Sequence, residues 1–126
     1  MLAIVVDDSR AIRSILRRSL VSLGFHVVEA ANGQEGLDAL IAQGGAELML
    51  VDWNMPVMDG IAMVREVRAD HGWDATRLVM VTSEADIARV TDALEAGADE
   101  YLMKPFDEEA LRDKLAIVGL IREPAA

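Results

Sequence analysis

Cysteine is absent from the 126 residues. That lack removes any disulfide framework, thiolate nucleophile or cysteine-built zinc site, although it says little about compartment. Cations are scarce as well. Twelve Lys+Arg stand against 22 Asp+Glu, a formal net charge of −10, which repels nucleic acid and anionic lipid because binding to phosphate backbones needs clustered cations. No nucleic-acid or membrane partner is therefore expected. No apolar run approaches the roughly 18 residues of a membrane span, and no basic segment precedes the first apolar run as a secretory signal would require. A cytoplasmic location is the default expectation. The glycine patterns of P-loops and dinucleotide folds are missing too. The only two histidines, His26 and His71, form no ligand-spaced pair and receive no role.

What is present is the composition of a folded globular chain, 52% apolar and 27% charged, with length for one domain over residues 1–126 and for a core that needs no staple. Short apolar runs alternate with amphipathic segments throughout. Runs at 2–6, 25–30, 48–51, 78–81 and 101–103 read as strands. The first, third and fourth are continuously apolar instead of alternating, the mark of strands buried on both faces of a parallel sheet. Between them, Ile12, Ile15, Leu16, Leu20 and Leu23 recur at helical spacing after the cap residue Ser9, and Gly24 suits the helix end. Further helices are expected over 34–43, 60–69, 85–96 and 107–120, the last opened by Asp107, Glu108 and Glu109. Pro124, Ala125 and Ala126 form a short tail. Five strands alternating with five helices define a doubly wound α/β sandwich with helices on both faces, whose ligand sites lie beyond the carboxyl ends of the strands.

At those ends stand Asp7 and Asp8 after the first strand, Asp52 after the third, Thr82 and Ser83 after the fourth and Lys104 after the fifth. Parallel strands end at one edge, so these residues converge there. Two carboxylates about 4 Å apart repel by about 4 kcal/mol at an effective dielectric near 20, so three of them need Lys104 and a metal. Mg²⁺ suits the site, because it takes oxygen ligands and is commonly held by one or two carboxylates plus phosphate oxygens, whereas the larger cage of calcium asks for more ligands. The chemistry that fits is in-line attack by the Asp52 carboxylate on a phosphoryl group, giving an acyl phosphate. Lys104, the metal and the Thr82 hydroxyl would meet the charge that develops on the transferred oxygens. Taken singly these residues have plainer readings: Asp7 and Asp8 as helix caps, Asp52 as a turn residue, Lys104 as a solvated charge. Their joint placement argues for the site.

The layout resembles the receiver domains of bacterial two-component response regulators, from Val-Val-Asp-Asp-Ser at 5–9 to Lys-Pro-Phe at 104–106. In the middle, Val-Asp-Trp-Asn-Met-Pro-Val-Met-Asp-Gly at 51–60 is similar to that family's phosphoacceptor strand and following loop. The resemblance implies a five-stranded parallel sheet in the flavodoxin-like order 2-1-3-4-5. It implies Mg²⁺ held by Asp7, Asp8, Asp52 and the Asn54 backbone carbonyl, and a switch in which Tyr101 swings inward as Thr82 moves. A cis bond before Pro105 is also implied, where proline lowers the cis penalty to about 0.5–1 kcal/mol. Within the family, Trp53, Asn54, Glu84, Tyr101 and the expected absence of an output domain are most similar to single-domain chemotaxis regulators.

The resemblance implies a histidine kinase as phosphodonor and a protein target in trans, with a chemotaxis or flagellar role, or a phosphate sink, among the outcomes. The docking face expected is the fourth helix, around Asp86, Ile87, Arg89 and Val90, together with the fifth strand and fifth helix. A monomer is expected, with no turnover of an external substrate. Two rivals stand beside this reading. A phosphatase of the haloacid-dehalogenase kind needs a second aspartate two residues after the nucleophile, where Asn54 stands. A phosphorylation-independent interaction module of the same fold would be expected to have lost an acid or the lysine, and none is lost. The Arg10, Arg13, Arg17 and Arg18 group reads as a solvated face, with an anionic partner as the alternative. Core packing is the reading for most of the seven methionines.

Overall fold

The computed structural model describes residues 1–122, apart from the side chains of Glu84, Ala85 and Ile87. The expected tail at 124–126 lies outside the described residues. Five parallel strands are ordered β2-β1-β3-β4-β5, with β1 at Leu2–Val6, β2 at His26–Ala30, β3 at Leu48–Asp52, β4 at Arg77–Ser83 and β5 at Glu100–Lys104. β3 pairs with β1 and β4, and β5 closes one edge. The helices are α1 (Arg10–Ser22), α2 (Gly33–Gln43), α3 (Gly60–Ala69), α4 (Val90–Ala96) and α5 (Glu108–Ile117).

The alternation of side chains along each central strand divides the core in two. Ile4, Val6, Met49, Val51, Leu78 and Met80 face one layer, where α2, α3 and α4 contribute Leu40, Met63, Val64, Val67 and Ala93. Ala3, Val5, Leu48, Leu50, Val79 and Val81 face the other, against Leu16 and Leu20 of α1 and Leu111 and Leu115 of α5. Each fully buried aliphatic side chain contributes roughly 1.5–3 kcal/mol, so the continuously apolar runs become the three inner strands.

Side-chain caps fix where four helices begin. Ser9 accepts from the Ile12 amide at 3.3 Å, Asn32 from Glu35 at 2.9 Å, and Asp59 from Ala62 and Asp107 from Ala110 at 2.8 Å each. All four caps sit in loops that follow strands at the carboxyl edge, so these helices start where the site lies.

Two helices differ from expectation. The segment 85–96 does not form one helix: Glu84–Arg89 is 3₁₀, and α-helix begins only at Val90, with no side-chain cap. The shift turns Ala93 into the core and leaves Leu94 at 44% exposure. The last helix ends at Ile117, because Leu120 N–H bonds back to the Leu115 carbonyl and Gly119 takes φ 82°.

Away from the site, at the amino edge of the sheet, Arg68 acts as a staple. Its guanidinium donates to the carbonyls of Gly97 (2.9 Å), Trp73 (3.0 Å) and Thr76 (2.7 Å) and to Asp99 (3.0 Å). Asp99 in turn accepts from the Leu78 amide at 2.8 Å. This ties α3, the 3₁₀ turn His71–Trp73, β4 and the α4–β5 turn together through one side chain.

Candidate functional site

Every strand-end residue singled out above is found at the carboxyl edge. Asp52, Ser83 and Lys104 are the last residues of their strands, and Asp7 follows β1 directly. One carboxylate oxygen from each of Asp7, Asp8 and Asp52 lies within 4.8 Å of the others. Asp7 and Asp52 are buried and Asp8 is exposed, so the cluster has a closed floor and an open mouth. Lys104 Nζ donates to Asp52 Oδ1 at 3.1 Å and lies 3.5 Å from Asp7 Oδ2.

The backbone around the cluster is held closely. Asp7 Oδ1 accepts from the Ser9 amide at 2.8 Å, and the Asp7 carbonyl accepts from Arg13 at 2.6 Å. Arg13 also pairs with Glu29, as does Arg17. Half of the α1 arginine group is thus tied to β2, while Arg10 and Arg18 are exposed. Gly60 opens α3 directly beneath β3: a Cβ there would collide with the Asp52 carbonyl oxygen and lie 2.8 Å from Met80 Cε. Only glycine allows that approach.

Burial raises the Asp52 carboxyl above its ordinary value, and the Asp7 charge adds to the rise; the hydrogen bond and charge of Lys104 oppose it without cancelling it. Burial alone would lower Lys104. The hydrogen bond that Lys104 donates to Asp52 and the charges of Asp52 and Asp7 outweigh burial and raise the ammonium above its usual range. The site therefore carries more negative charge than one lysine offsets.

That excess fits a small hard cation. The three oxygen donors share one mouth, and among the described residues no hydrogen bond occupies the backbone carbonyl of Asn54, two residues past β3. Asp7, Asp8, Asp52 and that carbonyl are the residues that would hold Mg²⁺.

Thr82 is buried beside the cluster, and its hydroxyl faces the Ser83 carbonyl at 3.4 Å. Tyr101 is half-buried on β5, with Lys114 Nζ 4.3 Å from its ring centroid. The Lys104–Pro105 bond is cis, as the resemblance implies. Of the expected docking residues, Val90 is buried, Arg89 lies over the Trp53 ring at 4.6 Å, and Ile87 falls outside the described side chains, as does Glu84.

Sequence reasoning missed one set of contacts at the rim. Asp86 Oδ2 accepts from Ser83 Oγ at 3.1 Å and from Asn54 Nδ2 at 3.4 Å. No spacing in the chain signals this link, because it joins residues 32 positions apart through strand adjacency alone.

A doubly wound parallel sheet with paired acids after β1, an aspartate ending β3, a hydroxyl near the end of β4 and a lysine ending β5 is the arrangement of a receiver-type signalling fold. The response regulator receiver domain family matches residues 3–116, and the chain belongs to that family. It is 40% identical to the chemotaxis protein CheY1 of Helicobacter pylori strain J99 over 94% of this chain and 96% of that one. Its identity to a chemotaxis protein CheY homolog of Campylobacter jejuni is also 40%, over 91% of this chain and 89% of the relative. Among solved structures, chemotaxis protein CheY4 of Vibrio cholerae superposes with a TM-score of 0.85 at 32% identity, covering 93% of this chain and 97% of that one. The chain is thus a CheY-like receiver of two-component signalling.

Proposed function

We propose that this chain is a response regulator receiver that takes a phosphoryl group from a histidine kinase onto Asp52 and passes the change to a protein partner. The observation that carries the reading is the convergence of Asp7, Asp8 and Asp52 within 4.8 Å, with Lys104 bonded to the acceptor oxygen. Asp52, on the buried floor of the pocket, is the carboxylate for in-line attack on a phosphorus that enters by the open mouth. The bond to the donor nitrogen breaks as the acyl phosphate forms, and the leaving imidazole takes up the electron pair and a proton. Bound Mg²⁺ would supply charge neutralisation on the transferred oxygens. Lys104 supplies a second positive charge already aimed at Asp52, and the Thr82 hydroxyl reaches a phosphoryl oxygen by turning from the Ser83 carbonyl. No external substrate is turned over; the product is a protein state.

The output face is formed by α4, β5 and α5, next to Thr82, Tyr101 and Lys104. The names of the relatives support a role in chemotaxis, and a flagellar motor component is the partner that such a role suggests. The test follows tryptophan fluorescence, since Trp53 adjoins Asp52. Mg²⁺ and then beryllofluoride, a phosphoryl mimic, are added to wild type and to Asp52→Asn. Saturable changes on both additions, with the second lost in the variant, are expected. Silence in both proteins, together with no Asp52 labelling by a small phosphodonor, would overturn the reading and leave a receiver-shaped interaction module.

A further inference from the structure

The 3₁₀ segment Glu84–Arg89 leans on the phosphoacceptor loop through two contacts of opposite charge. Asp86 bridges Ser83 Oγ (3.1 Å) and Asn54 Nδ2 (3.4 Å), and the Arg89 guanidinium lies 4.6 Å from the centroid of the buried Trp53 ring. Trp53 and Asn54 are the two residues after Asp52, and Ser83 directly follows Thr82. The segment is thus tied to both the residues that flank the acceptor and the strand end that carries the hydroxyl. Its sequence continues the helical spacing of α4, yet α-helix starts only at Val90.

We propose that Asp86 is a tether that occupancy of Asp52 must break, and Arg89 a pivot that occupancy keeps, so that the pair converts phosphorylation into movement at the start of α4. The inference rests on the phosphoacceptor reading of Asp52 and names its regulation. Two arguments carry it. Thr82 adjoins Ser83, so any movement of the 82–83 peptide towards an occupied Asp52 disturbs the bond from Ser83 Oγ to Asp86. Phosphorylation also replaces the single charge of the Asp52 carboxylate by a phosphoryl charge of about −1.5 to −2, a net gain of about one negative charge, two residues from Asn54. That charge repels a carboxylate held on Asn54 and attracts a guanidinium held on Trp53. One contact loosens while the other tightens, and the segment swings about Arg89 towards α4.

A tether broken by occupancy opposes occupancy, because binding must supply the cost of breaking it. Removing the tether therefore tightens binding, and removing the pivot weakens it. Calorimetric titration of beryllofluoride into wild type, Asp86→Ala and Arg89→Gln at saturating Mg²⁺ reads this directly. Asp86→Ala is expected to bind about fivefold more tightly, the factor one modest hydrogen bond supplies, and Arg89→Gln about threefold more weakly. General damage to the loop would weaken both, and the charge changes alone would give opposite signs, so Ser83→Ala, which cuts the tether without changing charge, is expected to tighten binding as well; no tightening there overturns the latch. Affinity for Asp86→Ala equal to or weaker than wild type, or shifts of the same sign in Asp86→Ala and Arg89→Gln, overturns the latch while leaving Asp52 as acceptor. Failure of wild type itself to bind beryllofluoride overturns the acceptor reading and the latch with it.

Discussion

Neutralising the acceptor by Asp52→Asn is expected to stabilise the metal-free protein. With carboxylate oxygens within 4.8 Å of one another, Asp52 meets two repulsions of at least about 3.5 kcal/mol each at an effective dielectric of 20. The Lys104 contact at 3.1 Å returns about 5 kcal/mol on the same scale. Removing the charge therefore relieves about 2 kcal/mol, reduced to about 1 kcal/mol by solvent screening at the exposed Asp8. For a chain of this length that corresponds to a rise in Tm of about 3–5 °C. The pH dependence follows from the raised carboxyl. The folded state holds the Asp52 proton more tightly than the unfolded chain, so wild-type stability falls as pH rises from the ordinary value of 3.8 through the folded one. The variant's advantage is full above that window and vanishes below pH 3.8, where Asp52 is protonated in both states. Added Mg²⁺ reverses the ranking: at one hundred times its Kd a ligand adds about 2.7 kcal/mol, and the variant has lost one of three charged donors. Calorimetric melts with chelator and with Mg²⁺ check both parts. A metal-free variant less stable than wild type, or equal stabilisation of both by Mg²⁺, would refute the reasoning.

Lys104→Ala leaves Asp7 and Asp52 without their lysine and is expected to cost about 2 kcal/mol, less than a fully buried pair because the lysine keeps 27% exposure. Urea unfolding measures the loss, and Mg²⁺ should restore part of it. Gly60→Ala forces a Cβ against the Asp52 carbonyl; a loss of at least about 2 kcal/mol and weaker Mg²⁺ binding should appear in the same titrations. Arg68→Ala abandons three carbonyls and Asp99, costing about 2–4 kcal/mol. Its Mg²⁺ affinity should match wild type, because the staple sits at the opposite edge of the sheet.

The inner strands were legible because runs such as 48–51 and 78–81 are apolar at every position, which only burial on both faces explains. The acids and lysine were legible because a parallel sheet brings its strand ends to one edge whatever the loops do. The start of α4 was not. Ile87, Val90 and Leu94 satisfy helical spacing, but tertiary contacts of Asp86 and Arg89 hold the preceding turn in another form, and local periodicity carries no record of them. The Arg68 staple was equally hidden, since three of its four acceptors are backbone carbonyls, which every residue possesses. Ile15 shows the limit of a stripe argument: it shares the spacing of Leu16 and Leu20 yet is 48% exposed, because α1 rests on the sheet through a narrower face.

Lys104 leaves the end of β5 and meets Asp52 on β3, with β4 lying between. At about 4.8 Å per strand the side chain arches over the neighbour it passes and reaches Asp7 beyond β3 as well. It works as a tie beam: side chains fasten three strand ends to one another, while β4, carrying Thr82 and Ser83, is held by its ladders to β3 and β5 and by the Asp86 contact between Ser83 and Asn54. Of these four strand ends it is the one the lysine does not tie, so a local push on the hydroxyl-bearing residues is met by the Asp86 contact and not by the charge cluster.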